Sequence, residues 1–148
     1  DLLTKKTAPA EFASLQNGKK AWCCRSHFGE VSAETLLKLC RYANRHHCTI
    51  RFGVDQNIYL LGLENSEAPL LNHGVPVRLS VCAGSRYCPL SLFDMKEEAA
   101  MLPLERLARL NVSVGYSGCL KGCGKHQHTD IGFIGLRTAV YGSTQKSV

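Results

Sequence analysis

Thr49-Ile50-Arg51-Phe52-Gly53-Val54-Asp55-Gln56-Asn57-Ile58-Tyr59-Leu60-Leu61-Gly62-Leu63 decides how the first half of this chain folds. Cys48, Ile50 and Phe52 alternate with Thr49 and Arg51, the period-two pattern of a strand with one buried face. Gly53 to Asn57 has the residues of a turn, and Ile58 to Leu63 is an apolar run of strand length, so the spacing predicts a hairpin. Upstream, Ser32 predicts a helix start, because its hydroxyl can accept a bond from an otherwise unpaired amide. Leu36, Leu39, Cys40 and Ala43 then recur at helical spacing, with Leu37 widening the stripe, and the helix should stop near Arg45 to His47. Ala21-Trp22-Cys23-Cys24 reads as a further strand broken at Gly29, and residues 1 to 19 are polar and weakly patterned. The predicted unit is β-α-β-β, half of a mixed sheet with a helix laid on it.

Residues 64 to 75 are loop-like. Val77, Leu79 and Val81 alternate with Arg78 and Ser80 up to Cys82, which predicts another strand. Pro89, at a first helical position where its missing N–H costs nothing, predicts a helix over Leu90 to Met101. Leu102 to Leu110 reads as a second helix started by Pro103. Val112, Val114 and Tyr116 form a strand, a glycine-rich loop follows, and Ile131 to Leu136 closes the pattern as a strand. The composition shift near residue 70 predicts two subdomains, 1–70 and 71–148, in an α+β (mixed α/β) fold. No internal repeat is visible.

A length of 148 residues, 45% hydrophobic and 20% charged, fits one compact domain or two small ones, with the apolar fraction of an ordinary folded protein, so disorder is not the default reading. No apolar run approaches the ~20 residues needed to cross a bilayer. No basic segment followed by an apolar core opens the chain, so a secretory signal is not expected and the cytoplasm is. The chain opens with Asp1 rather than Met, as an excised piece of something longer would. Eighteen Lys and Arg against twelve Asp and Glu leave a net charge of +6. That balance asks for an acidic partner; an anionic cofactor or small oxyanion needs the same field as nucleic acid.

Eight cysteines are too many to pass over, and without a secretory context spaced thiols read as metal ligands or core residues rather than bridges. Cys82 and Cys88 are separated by five residues, and Cys119 and Cys123 by three. Each pair sits where a strand ends in a tight loop, among Gly84, Gly115, Gly118, Gly122 and Gly124. A cuboidal iron–sulfur cluster takes four thiolates and gains from N–H groups aimed at its sulfurs. Structural zinc also takes four, but usually from pairs two to four residues apart. The spacing favours iron–sulfur over zinc, with inert buried thiols as a third reading.

The stretches Val81-Cys82-Ala83-Gly84-Ser85-Arg86-Tyr87-Cys88-Pro89-Leu90 and Ser117-Gly118-Cys119-Leu120-Lys121-Gly122-Cys123-Gly124, followed by Asp130-Ile131-Gly132, closely resemble the sirohaem and iron–sulfur signature of the nitrite and sulfite reductases. Thr49 to Ile58 is similar to the ferredoxin-like half-domain that precedes that signature. The resemblance covers roughly residues 21–137 and implies a ferredoxin-like half-domain followed by a sirohaem- and cluster-binding subdomain. By position, Cys82, Cys88, Cys119 and Cys123 would hold a 4Fe–4S cluster, with Cys123 also the axial ligand of the sirohaem iron. Arg51, Arg86, Lys121 and Lys125 would meet the sirohaem carboxylates. The family often has Pro and Asn between the last two cysteines, where this chain has Leu120 and Lys121.

The resemblance implies an oxidoreductase carrying out the six-electron reduction of nitrite or sulfite, fed by ferredoxin or a flavoprotein. Because the family is built of two related halves with the cofactors between them, this chain matches only the later one. The remaining half of the same enzyme is then an implied partner, the isolated chain is expected to be incomplete, and no catalytic residue can be assigned. Two alternatives stay open: a precorrin-3B synthase-like monooxygenase of the same superfamily, and a non-catalytic zinc-binding basic module. Cys40 and Cys48 are expected to pack in the core, Cys23 and Cys24 have no ligand spacing, and His46 and His47 suit a helix C-terminus. His126 and His128 read first as surface residues. No Walker loop, dinucleotide fingerprint or serine-nucleophile elbow occurs.

Overall fold

In the computed structural model, residues 12–66, 77–140 and 143–147 are described, and the chain divides into two compact units within residues 7–76 and 77–148. The expected element order holds in the first unit. Strand β1 (Phe12–Ser14), unforeseen in the polar N-terminal stretch, precedes β2 (Lys20–Cys24), helix α1 (Ala33–Arg45), β3 (Thr49–Phe52) and β4 (Ile58–Leu63). The sheet runs β1-β2-β4-β3 and every neighbouring pair is antiparallel, so it is not a mixed sheet. β2 and β3 run the same way on either side of β4, which occupies the place between them.

Ser32 caps α1, its Oγ accepting from the Thr35 N–H at 3.1 Å, and Glu34 pairs with Lys38 one turn on at 2.7 Å. Replacing Ser32 with Ala is expected to cost about 1 kcal/mol, read as a lower urea midpoint in circular dichroism. The helix ends at His46, whose ring stacks on Tyr42 with centroids 4.2 Å apart. Trp22, Cys24, Leu39, Ala43, Ile58, Leu60 and Leu63 form the core, with Tyr42, Cys48 and Ile50 packed against it. The inward face of α1 therefore passes through Leu39, Tyr42 and Ala43, rotated from the predicted stripe; Leu36, Leu37 and Cys40 are exposed. Cys40 is a surface thiol, not a core one.

β3 departs in the same way. Ile50 packs inward, but Phe52, the last residue of edge strand β3, is 76% exposed. At Gly62, where φ is +97°, the β2–β4 register shifts, so Leu63 rather than Gly62 takes the core face. The β3–β4 turn is closed by the Gly53 N–H donating to the Asn57 carbonyl at 2.8 Å. Within it Asp55 accepts from the Asn57 side chain at 2.9 Å and from the Tyr59 hydroxyl. Burial pushes the Asp55 carboxyl up, but those donors outweigh it and hold the group below the usual carboxylate range.

The second unit is a parallel sheet of β5 (Arg78–Val81), β6 (Ser113–Ser117) and β7 (Ile131–Ile134), in that order. Helices α2 (Met95–Ala100) and α3 (Leu104–Leu110) connect β5 to β6. The helix predicted over Leu90 to Met101 begins only at Met95, because Asp94 is its cap, accepting from the Lys96 N–H at 3.1 Å. Pro89 lies instead in the preceding loop. α3 ends on Asn111 in the left-handed conformation. Beyond β7, β8 (Leu136–Val140) and β9 (Ser143–Ser147) form an antiparallel hairpin that the pattern had not suggested. Among the described residues, no helix is long and apolar enough to cross a membrane.

Candidate metal centre

Parallel pairing determines where the cysteines go. β5 and β6 run side by side with Val81 opposite Tyr116, so the loops that follow them leave the same end of the sheet. Cys82 and Cys88 lie on the first loop, Cys119 and Cys123 on the second. None of the four is bridged; Cys82 is buried, Cys88 and Cys119 half-buried, and Cys123 exposed.

Gly118 joins the two loops. Its N–H donates to the Cys82 Sγ at 3.2 Å, and its carbonyl accepts from the Leu92 N–H at 3.2 Å. A Cβ at this position would overlap the Ser91 hydroxyl, so only glycine permits the approach. The ladder extends one residue further through the Cys82 N–H, which donates to the Tyr116 carbonyl at 2.9 Å. Within the first loop, Gly84 turns at φ +78° and accepts from the Cys88 N–H at 2.9 Å. Gly122 turns the second loop and accepts from the Lys125 N–H at 2.8 Å.

The predicted cations are placed unequally. Arg86 is paired with Asp94 at 2.8 Å and stands 4.0 Å from Glu97, so its charge is already engaged within its own loop. Lys121 is exposed between Cys119 and Cys123, and Lys125 is half-buried in the left-handed conformation. Arg51 is exposed on β3 of the first unit. Asp130 proves structural: its carboxylate accepts from the Ser113 N–H at 2.8 Å and from the Ser113 hydroxyl at 2.6 Å, joining the starts of β6 and β7.

One further residue escaped the pattern reading, and another was misplaced by it. Ser117, 1% exposed at the end of β6, accepts from the Gly124 N–H at 3.0 Å and meets the His126 Nδ1 at 2.9 Å. His126 is thus half-buried against the sheet in a short 3₁₀ turn, His126–His128, rather than a surface residue; His128 is exposed. The alternation of Val114, Tyr116 and their neighbours gave no hint that a strand-end serine would be polar on the inside.

The donor set suits a group that draws two thiolates from each of two loops and is met by backbone N–H groups. The side chains are not drawn around one point. Among the described residues, no three His, Cys, Asp or Glu side chains form a group able to hold a metal ion. The remaining cysteines stand apart in the first unit: Cys23 and Cys24 buried in β2, Cys48 packed against the core, Cys40 on the helix surface. Burial pushes the Cys24 and Cys48 thiols up, toward the inert neutral form.

Comparison with known proteins bears on both units. Residues 15–74 match the nitrite/sulfite reductase ferredoxin-like half domain. The protein named ferredoxin–nitrite reductase in Synechococcus elongatus is 28% identical over 137 residues, which cover 81% of this chain and 27% of that protein. The chloroplastic ferredoxin–nitrite reductase of Oryza sativa subsp. japonica is 26% identical over 159 residues, covering 93% and 27%. That of Betula pendula is 29% identical over 129 residues, covering 72% and 21%. The chain thus spans about a quarter of the length of these relatives. The solved structure of the Mycobacterium tuberculosis NirA protein superposes with a TM-score of 0.77 over 97% of this chain and 31% of that one, at 23% identity, a likeness of fold. The half-domain match and the relatives agree: the chain is similar to the nitrite and sulfite reductases over both units, and the likeness to NirA is one of fold.

Proposed function

We propose that this chain forms part of a sirohaem-dependent nitrite or sulfite reductase, and that Cys82, Cys88, Cys119 and Cys123 hold its 4Fe–4S cluster. Cys123 would also be the residue that holds the sirohaem iron. Residues 1–70 act as the half-domain and 71–148 as the cofactor-binding part. The observation that carries this reading is the joint at Gly118, which ties the Cys82 loop to the Cys119 loop at one end of a parallel strand pair. The relatives' names favour nitrite as the oxyanion and ferredoxin as the donor. The clamp on the oxyanion belongs to another part of the same enzyme.

The bound cofactors supply one-electron transfers to the oxyanion. This chain's own residues ligate and orient. The Gly118 N–H directed at the Cys82 sulfur stabilises negative charge there. Lys121, exposed between the last two cysteines, offers a cation to a cofactor carboxylate. Arg86 serves chiefly to hold its own loop through Asp94.

The test is anaerobic reconstitution of the chain with ferrous iron and sulfide. Iron and labile sulfide in 4Fe–4S stoichiometry, with broad visible absorbance and the paramagnetic signal of a reduced cubane, are expected. Stoichiometric zinc with neither iron nor labile sulfide, in protein made with an intact cluster-assembly pathway, would overturn the reading.

A further inference from the structure

The turn that carries Cys123 is pressed onto the sheet by an arrangement the four-cysteine pattern does not require. A Cβ at Gly124 would overlap the Tyr116 carbonyl oxygen, and one at Gly132 would overlap that of His126. At Gly115 it would stand 2.6 Å from the Thr129 Oγ1 and 2.7 Å from both the Gly124 carbonyl and the His126 Cα. Three glycines on the sheet and turn therefore let backbone lie directly on backbone. Little side chain is left between these surfaces to hold them in register, so polar contacts must do it.

Those contacts centre on the Ser117 hydroxyl. It accepts from the Gly124 N–H, and Gly124 is the residue after Cys123. The His126 Nδ1 stands 2.9 Å from the same hydroxyl, one of the two donating to the other, so the contact holds the ring in one tautomer. The ring in turn lies beside Gly122: a Cβ there would stand 3.5 Å from the His126 Cε1. The residue after Cys123 is thus held by the hydroxyl, with the His126 ring beside the residue before it.

We infer that Ser117 and His126 form a positioning pair that holds the turn carrying Cys123 in one arrangement on the sheet. This deepens the proposed function and rests on it for its meaning, since the thiol so placed is the shared ligand of that reading. The pair itself is defined by hydrogen bonds and can be tested without iron.

The experiment uses the full chain labelled with ¹⁵N and read by NMR. In the unsubstituted chain, His126 should show one fixed ring tautomer, and the Gly124 amide should exchange slowly. In Ser117→Ala the Gly124 amide should exchange roughly tenfold faster or more, and the fixed His126 tautomer should be lost. Ser117→Thr, which keeps the hydroxyl on a strand-compatible side chain, should restore both. A His126 ring that interchanges freely between tautomers in the unsubstituted chain overturns the pair outright, with no dependence on whether any variant folds. So does a Ser117→Ala chain with unchanged Gly124 exchange and His126 tautomer. Failure of the unsubstituted chain to assemble a cluster, with these readouts as expected, would sink the four-thiolate reading and leave the pair standing.

Discussion

A Cys123→Ser chain is expected to retain its fold and lose its cluster, binding roughly tenfold less iron or more after reconstitution. Cys123 is exposed, so a hydroxyl in place of its thiol leaves no cavity and no unpaired buried group. Melting temperature and far-ultraviolet circular dichroism should match those of the unsubstituted chain. Cys82→Ser is a less direct test, because that sulfur is buried and accepts the Gly118 N–H, so loss of iron there could follow from loss of structure. Cys40→Ser is the matched control: it is also an exposed thiol, but it lies on α1 in the other unit. Iron and sulfide analysis with visible absorbance reads the comparison. If Cys123→Ser holds as much iron as the unsubstituted chain and as Cys40→Ser, the ligand assignment is wrong.

Leu60→Ala should destabilise the first unit by about 2–5 kcal/mol, the cost of lost transfer free energy plus the cavity left behind. Leu60 is fully buried, lies in the core cluster and sits opposite Trp22 across the β2–β4 pair. Trp22 is the single tryptophan of the chain and is itself fully buried, so its fluorescence reports unfolding of this core without interference. With a urea dependence of ~1–3 kcal/mol per molar for small domains, the midpoint should fall by roughly 1 M or more. Leu37→Ala is the contrasting variant. The helical stripe had placed Leu37 at the core edge, whereas it is 56% exposed, and its removal should change stability by no more than about 0.5 kcal/mol. Equal losses from the two substitutions would contradict the packing of α1 described above.

Much of the fold was legible because it depends on local chemistry. The Ser32 cap, the helix it starts, the Gly53–Asn57 turn and the strands on either side are set by neighbours within a few residues. The misreadings share another cause. Leu36, Leu37 and Cys40 lie at helical spacing, yet which arc of a helix is buried depends on what it lies against. Phe52 continues the alternation of Ile50, yet at the end of an edge strand it is left exposed. The helix expected from Pro89 fails because Asp94, capping Lys96 and pairing with Arg86, starts it later.

The candidate centre divides along the same line. Four cysteines in two glycine-rich turns, with Asp130-Ile131-Gly132 behind them, were readable in order and spacing, and so was the family they resemble. Spacing could not say that the two turns leave one end of a parallel pair, that Gly118 joins them, or that Arg86 is already engaged. Nor could it find Ser117 and His126, nine residues apart and brought within hydrogen-bond distance by the return of the chain onto glycine positions. What the amino-acid order determined is the stock of local elements and thiols, since propensity, capping and turn chemistry act over one or two turns of chain. What only the tertiary structure decided is which faces are covered and which loops meet, because those depend on surfaces supplied by residues far away in sequence.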